Sequence, residues 1–118
     1  MFMPVINNEE CYAEYFSILP TKTHLKTEAK GTISDEGFVV LRGSGSADEF
    51  SKYSSASLRA KWENLHKDGV IKDGIFTKNY LFSSPSTAAA MVLGRNANGL
   101  TEWKTENKIT LKKYLSTE

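Results

Sequence analysis

Cysteine, histidine and net charge are all scarce in this 118-residue, 13.2 kDa chain: one Cys, two His and a formal charge of +1. A lone Cys11 excludes an intrachain disulfide and fits a reducing compartment. His24 and His66 stand apart from each other and from Cys11, with no ligand spacing among them, so no metal site is expected. His24 opens a candidate strand and His66 closes a candidate helix, where an imidazole complements the dipole, so neither is given a catalytic role. No GxSxG or comparable nucleophile pattern occurs, and the Gly43-Ser44-Gly45-Ser46 stretch lacks the Gly-Lys-Ser/Thr that would continue a phosphate-binding loop. The expectation is a protein that is not an enzyme and carries no cofactor. Long apolar runs are missing too. The longest, residues 88–93, is far short of a membrane span, and the opening MFMPVINNEE has neither the basic nor the apolar region of a secretory signal. A cytoplasmic location follows as the expectation.

What is present is the composition of a folded domain, 40% hydrophobic and 11% aromatic. Asn7 or Asn8, followed by Glu9 and Glu10, reads as the cap of a first helix. Its apolar face would carry Tyr12, Phe16 and Leu19, and Pro20 would stop it. Residues 24–34 alternate Leu25, Thr27, Ala29 and Ile33 with polar neighbours, the period of a half-buried strand, and 35–37 make a turn into the apolar strand 38–41. Residues 43–46 then read as a flexible connector. Ser54 or Ser55 caps a helix reaching about Lys67, with Leu58, Trp62 and Leu65 on one stripe and Asp68-Gly69 as its stop. Residues 70–77 read as a short hairpin or irregular pair about Lys72-Asp73-Gly74, and 80–82 lead into the stretch around which the chain is organised.

In that stretch, Ser84 is an N-cap, Pro85 occupies the first helical position, residues 86–93 are apolar nearly all round, and Gly94 suits a left-handed C-terminal stop. A buried core helix is predicted. The Asn98-Gly99 pair predicts a tight turn, residues 100–105 a strand, and Ile109 and Leu111 a last strand or terminal turn. The sum is a small single α+β domain: two antiparallel hairpins packed with two to three short helices, core residues including Phe38, Leu41, Trp62, Phe82 and Leu93. The division expected is an N-terminal helix and linker over 1–22 and an accessory domain over 23–118.

Charge is unevenly spread. Residues 1–20 hold three Glu and no Lys or Arg, whereas residues 78–113 hold six basic residues against two Glu. The C-terminal third is therefore the expected anion-facing part. Ser83, Ser84 and Ser86 surround a helix N-terminus whose N–H groups can receive a phosphate, or Ser84 alone can satisfy that end as its cap. Arg95, Asn96 and Asn98, with Lys104 beyond, offer the groups that contact phosphates and base edges, although Asn is also a common turn residue. Trp103 can stack on a base or fill a core.

The segments FVVLRGS (38–44), NYLFSSPSTAAAMVLGRNANG (79–99) and TEWK (101–104) resemble the domain of unknown function 4357 family, from about residue 25 to about residue 115. They are more distantly similar to modules associated with restriction enzymes and adenine methylases that share the SPS-helix-NG-W layout. Relatives commonly carry Trp directly after the Asn-Gly, where this chain has Leu100. The resemblance implies a module found C-terminal to GIY-YIG nuclease domains or in restriction-modification contexts, and no GIY-YIG signature occurs in this chain. Two functions stay open at this level. One is a non-catalytic nucleic-acid-binding or sensing module, with DNA as partner. The other is a protein-interaction or assembly module that meets a nuclease, another protein or a second copy of itself through the N-terminal helix.

Overall fold

The computed structural model describes residues 14–20 and 27–116. They form an α+β domain with a four-stranded antiparallel sheet, a two-stranded sheet and four helices. The larger sheet runs in the order β1 (Tyr15–Ile18), β2 (Ala29–Ser34), β3 (Gly37–Val40) and β6 (Tyr80–Phe82). The smaller pairs β4 (Ile71–Lys72) with β5 (Ile75–Phe76). The helices are α1 (Ala56–Lys67), α2 (Pro85–Leu93), α3 (Gly99–Glu102) and α4 (Leu111–Ser116).

Alternation decides which face of the sheet is buried. Phe16, Ile18, Ala29, Phe38, Val40 and Phe82 point inward and are buried. Tyr15, Thr32, Val39 and Leu81, successive partners across the four strands, point outward. β3, apolar on both faces, is an interior strand of the sheet. Phe38 lies over Gly31, where an added Cβ would come within 2.3 Å of its ring. The inner face is covered by α2, whose residues 88–93 are all buried.

The ends of α2 follow the sequence closely. The Ser84 Oγ accepts a hydrogen bond from the Thr87 N–H at 3.1 Å, Pro85 opens the helix, and Gly94 closes it at φ 73°. Ser84→Ala is expected to lower stability by about 1 kcal/mol, the usual value of such a cap. An unchanged urea midpoint would show that the cap carries no stability. Ser55 caps α1, whose Leu65 is buried and whose Leu58 and Trp62 pack against the core. The β4–β5 hairpin turns through Asp73 and Gly74, both at positive φ, the mirror-image turn that matches strand twist.

Four expectations are corrected. Residues 15–18 are an edge strand, not the end of a helix; the cap at 7–10 and Tyr12 lie outside the described residues. Phe16 and Ile18 fit a period of two as well as they fit a helical face, and pairing with β2 selects the strand. His24 and Leu25 also lie outside the described residues. The 43–46 loop is not a free connector. Ser44 and Ser46 are buried, the Ser44 Oγ both accepts from the Lys30 N–H (2.9 Å) and donates to its carbonyl (3.1 Å), and the Ser46 Oγ donates to the Met91 carbonyl at 2.8 Å. Small hydroxyls here replace apolar packing with hydrogen bonds that tie β2 to α2.

The last two corrections concern the C-terminal quarter. Asn98 does not turn a hairpin: it sits at φ −100° as the N-cap of α3, its Oδ1 accepting from the Leu100 N–H at 3.0 Å. Asparagine has both propensities, and the cap prevails because Gly99 fits against α2. Residues 111–116 are helical rather than extended, with the Thr110 Oγ1 accepting from the Lys113 N–H at 3.2 Å. Between them Lys104 makes an antiparallel bridge to Ser17 on one side and Thr110 on the other.

Candidate nucleic-acid interface

The N-terminus of α2 is turned into the protein. Ser84 caps its own helix, and the Ser86 Oγ accepts from the Gly99 N–H at 2.9 Å. The Trp103 Nε1–H donates to the Pro85 carbonyl at 3.0 Å, with the indole fully buried. The Ser-Pro-Ser, Asn-Gly and Trp positions therefore form one clamp that seats α3 on the first turn of α2. Ser83 is exposed beside it.

The loop after α2 is also satisfied from within. Arg95 pairs with Glu102 at 3.6 Å and donates to the Asn96 carbonyl at 3.1 Å. The Asn96 N–H donates to the Ser54 Oγ at 3.0 Å, and the Asn98 side chain is occupied as a cap. Trp103 packs on Phe38 with ring centroids 4.7 Å apart and is a core residue. Of the seven candidate residues, Arg95 and Lys104 come together on the wall of one groove of about 860 Å³. Ser83, Ser84, Ser86, Asn96 and Asn98 do not line it.

That groove lies along β1. Four basic residues line it, Lys30, Arg95, Lys104 and Lys108, and four acidic ones, Glu14, Glu28, Glu102 and Glu106. Two of the cations are engaged, Arg95 with Glu102 and Lys30 with Glu28 at 3.8 Å. Among the described residues no ion pair holds Lys104, Lys108, Lys112 or Lys113, and all four are exposed. They come from one compact piece of chain. The Thr105 N–H donates to the Ile109 carbonyl at 2.8 Å, Lys108 takes a positive φ of 68°, and α4 follows directly. Tyr114 of α4 packs edge-on against Phe16, centroids 5.2 Å apart, which fixes the lysine-bearing piece beside β1.

Lys30, Lys108, Lys112 and Lys113 were not singled out by sequence reasoning. Lys108, Lys112 and Lys113 belong to the basic run of the C-terminal third, and the alternation of β2 places Lys30 outward. What joins them is the Ser17–Lys104 bridge across 87 positions of sequence (104 − 17), which has no local signature. Among the described residues there is no group of three or more His, Cys, Asp or Glu able to hold a metal, and no helix is long and apolar enough to cross a membrane.

The fold and this surface define a small α+β module with a lysine-bearing groove beside an open sheet face. Residues 19–115 match the family described as a domain of unknown function (DUF4357), and the chain belongs to that family. No curated protein and no solved structure matches the chain.

Proposed function

We propose that the domain is a non-catalytic nucleic-acid-binding accessory module that acts on DNA in the cytoplasm, in a nuclease or restriction-modification setting. The supporting observation is the cluster of four exposed lysines, Lys104, Lys108, Lys112 and Lys113, with no carboxylate partner among the described residues. An uncompensated cation on a folded surface attracts phosphate, and four of them within ten residues act together (113 − 104 + 1 = 10). The setting follows the family resemblance given with the sequence. The total charge of +1 argues for weak, local binding rather than a general affinity for polyanions.

Four phosphate contacts give an expected salt slope of about 3 to 4 for duplex DNA and about 3 for a single strand. Lys108→Ala, Lys112→Ala and Lys113→Ala combined should weaken binding and reduce that slope by about 2 to 3. Arg95→Ala should change it little, since Arg95 is held by Glu102. Titration of labelled DNA at several salt concentrations measures both quantities. Binding indifferent to the triple substitution would reject the lysine cluster. The alternative, a protein-interaction or assembly module, is favoured by Leu81, 43% exposed on the outer sheet face with Val39 beside it. Partner capture that survives the triple substitution and fails with Leu81→Asp would support it.

A further inference from the structure

The outer face of the sheet brings an exposed aromatic ring and two lysines into one row system. Ser17 is paired directly with Lys30 on one side and with Lys104 on the other, and direct partners in an antiparallel pair project to the same side. Lys30 and Lys104 therefore flank Ser17 on the outer face. Tyr15, two residues along β1, projects from that same face and is 39% exposed. Diagonal neighbours across strands lie about 7–8 Å apart, within reach of a lysine and a tyrosine side chain. Tyr15, Lys30 and Lys104 all line the groove, and Lys108 continues it toward α4.

A sheet face that offers a ring beside cations is complementary to a strand with its bases unstacked: the base lies on the ring and the phosphates lie along the cations. With four acidic and four basic residues the groove has no excess positive charge, so the exposed ring rather than charge sets its preference for one form of DNA. A base inside an intact duplex cannot reach the Tyr15 ring without leaving its stack.

We propose that this groove is a binding site for single-stranded DNA, with Tyr15 stacking on a base and Lys104 and Lys108, the two groove cations without an ion pair among the described residues, contacting the flanking phosphates. The proposal rests on the nucleic-acid reading above and adds to it the form of the ligand and the residue that selects it.

The test is fluorescence anisotropy of the whole chain at low salt with a labelled oligothymidylate of about 12 nucleotides, within the usual range of single-strand site sizes, and with a duplex of the same length. The single strand is expected to bind about tenfold or more tightly than the duplex. Tyr15→Ala should weaken single-strand binding by about tenfold, the effect of losing one stacked base, and leave duplex binding unchanged. Tyr15→Phe should retain wild-type affinity, since stacking needs the ring and not the hydroxyl. Duplex binding as tight as the single strand, an unaltered Tyr15→Ala variant, or equal losses in Tyr15→Ala and Tyr15→Phe would overturn the proposal. In each of those cases, sensitivity to the triple lysine substitution leaves the broader reading standing. No binding of either DNA would overturn both.

Discussion

Gly99→Ala is expected to destabilise the domain by about 3 kcal/mol, although local helix propensity alone predicts a gain of up to about 1 kcal/mol. Space accounts for the reversal of sign. A Cβ at position 99 would come within 2.3 Å of the Pro85 carbonyl carbon, 2.5 Å of its oxygen and 2.5 Å of the Ser86 nitrogen. All three are backbone atoms of the first turn of α2, so no rotamer change relieves the contact. To accept the methyl group, α3 must lift from α2. That stretches the Gly99 N–H bond to Ser86 and draws Trp103 from its slot, adding lost hydrogen bonding to the overpacking. Urea denaturation should show the midpoint falling by more than about 1 M at an unchanged slope. Asn98→Ala removes only the cap of α3 and should cost about 1 kcal/mol by the same measurement. A Gly99→Ala loss no greater than that would mean the two helices do not meet as described.

The contrast between neighbouring residues shows what the sequence displays and what it conceals. The boundaries of α2 are legible because each signal is local: Ser84, Pro85 and Gly94 act on backbone groups within four residues of themselves. The hairpin at Asp73 and Gly74 is legible for the same reason. Asn98-Gly99 is just as conspicuous and reads as a tight turn. Its glycine is required by the backbone of α2 thirteen residues earlier (99 − 86), a contact without local trace. Residues 15–18 read as helix because the apolar residues Tyr12, Phe16 and Leu19 satisfy its period, while the strand that competes for them, β2, begins eleven residues further on (29 − 18). The candidate site divides in the same way. Ser84, Ser86, Arg95 and Asn98 carry groups able to bind an anion, yet each has an internal partner, and sequence does not reveal which polar groups are already engaged. Lys104 stands out only once its exposure and its bridge to Ser17 are known.

The same clamp gives the largest expected effect through Trp103. This indole is the largest fully buried side chain, resting on Phe38 at 4.7 Å and bonded through Nε1–H to the Pro85 carbonyl at 3.0 Å. Its backbone N–H donates to the Gly99 carbonyl, and its own carbonyl accepts from the Leu111 N–H at 2.8 Å. Trp103→Ala should cost about 3–5 kcal/mol, from lost apolar burial and the cavity left between sheet and helices. That is a large part of a typical domain stability of about 5–15 kcal/mol. Trp103→Phe keeps a ring against Phe38 while deleting the donor and part of the volume, and about 2 kcal/mol is expected. The decisive comparison adds Ser86→Ala. Both bonds hold α3 to the same turn of α2, so once Trp103→Phe has loosened that contact, the Ser86 hydroxyl has less left to stabilise. The double variant should fall short of the sum of the single losses by about 0.5 kcal/mol or more, as measured by urea denaturation of all four proteins. Strict additivity would show that the two bonds act on separate parts of the fold and that the Ser-Pro-Ser, Asn-Gly and Trp positions do not form one clamp.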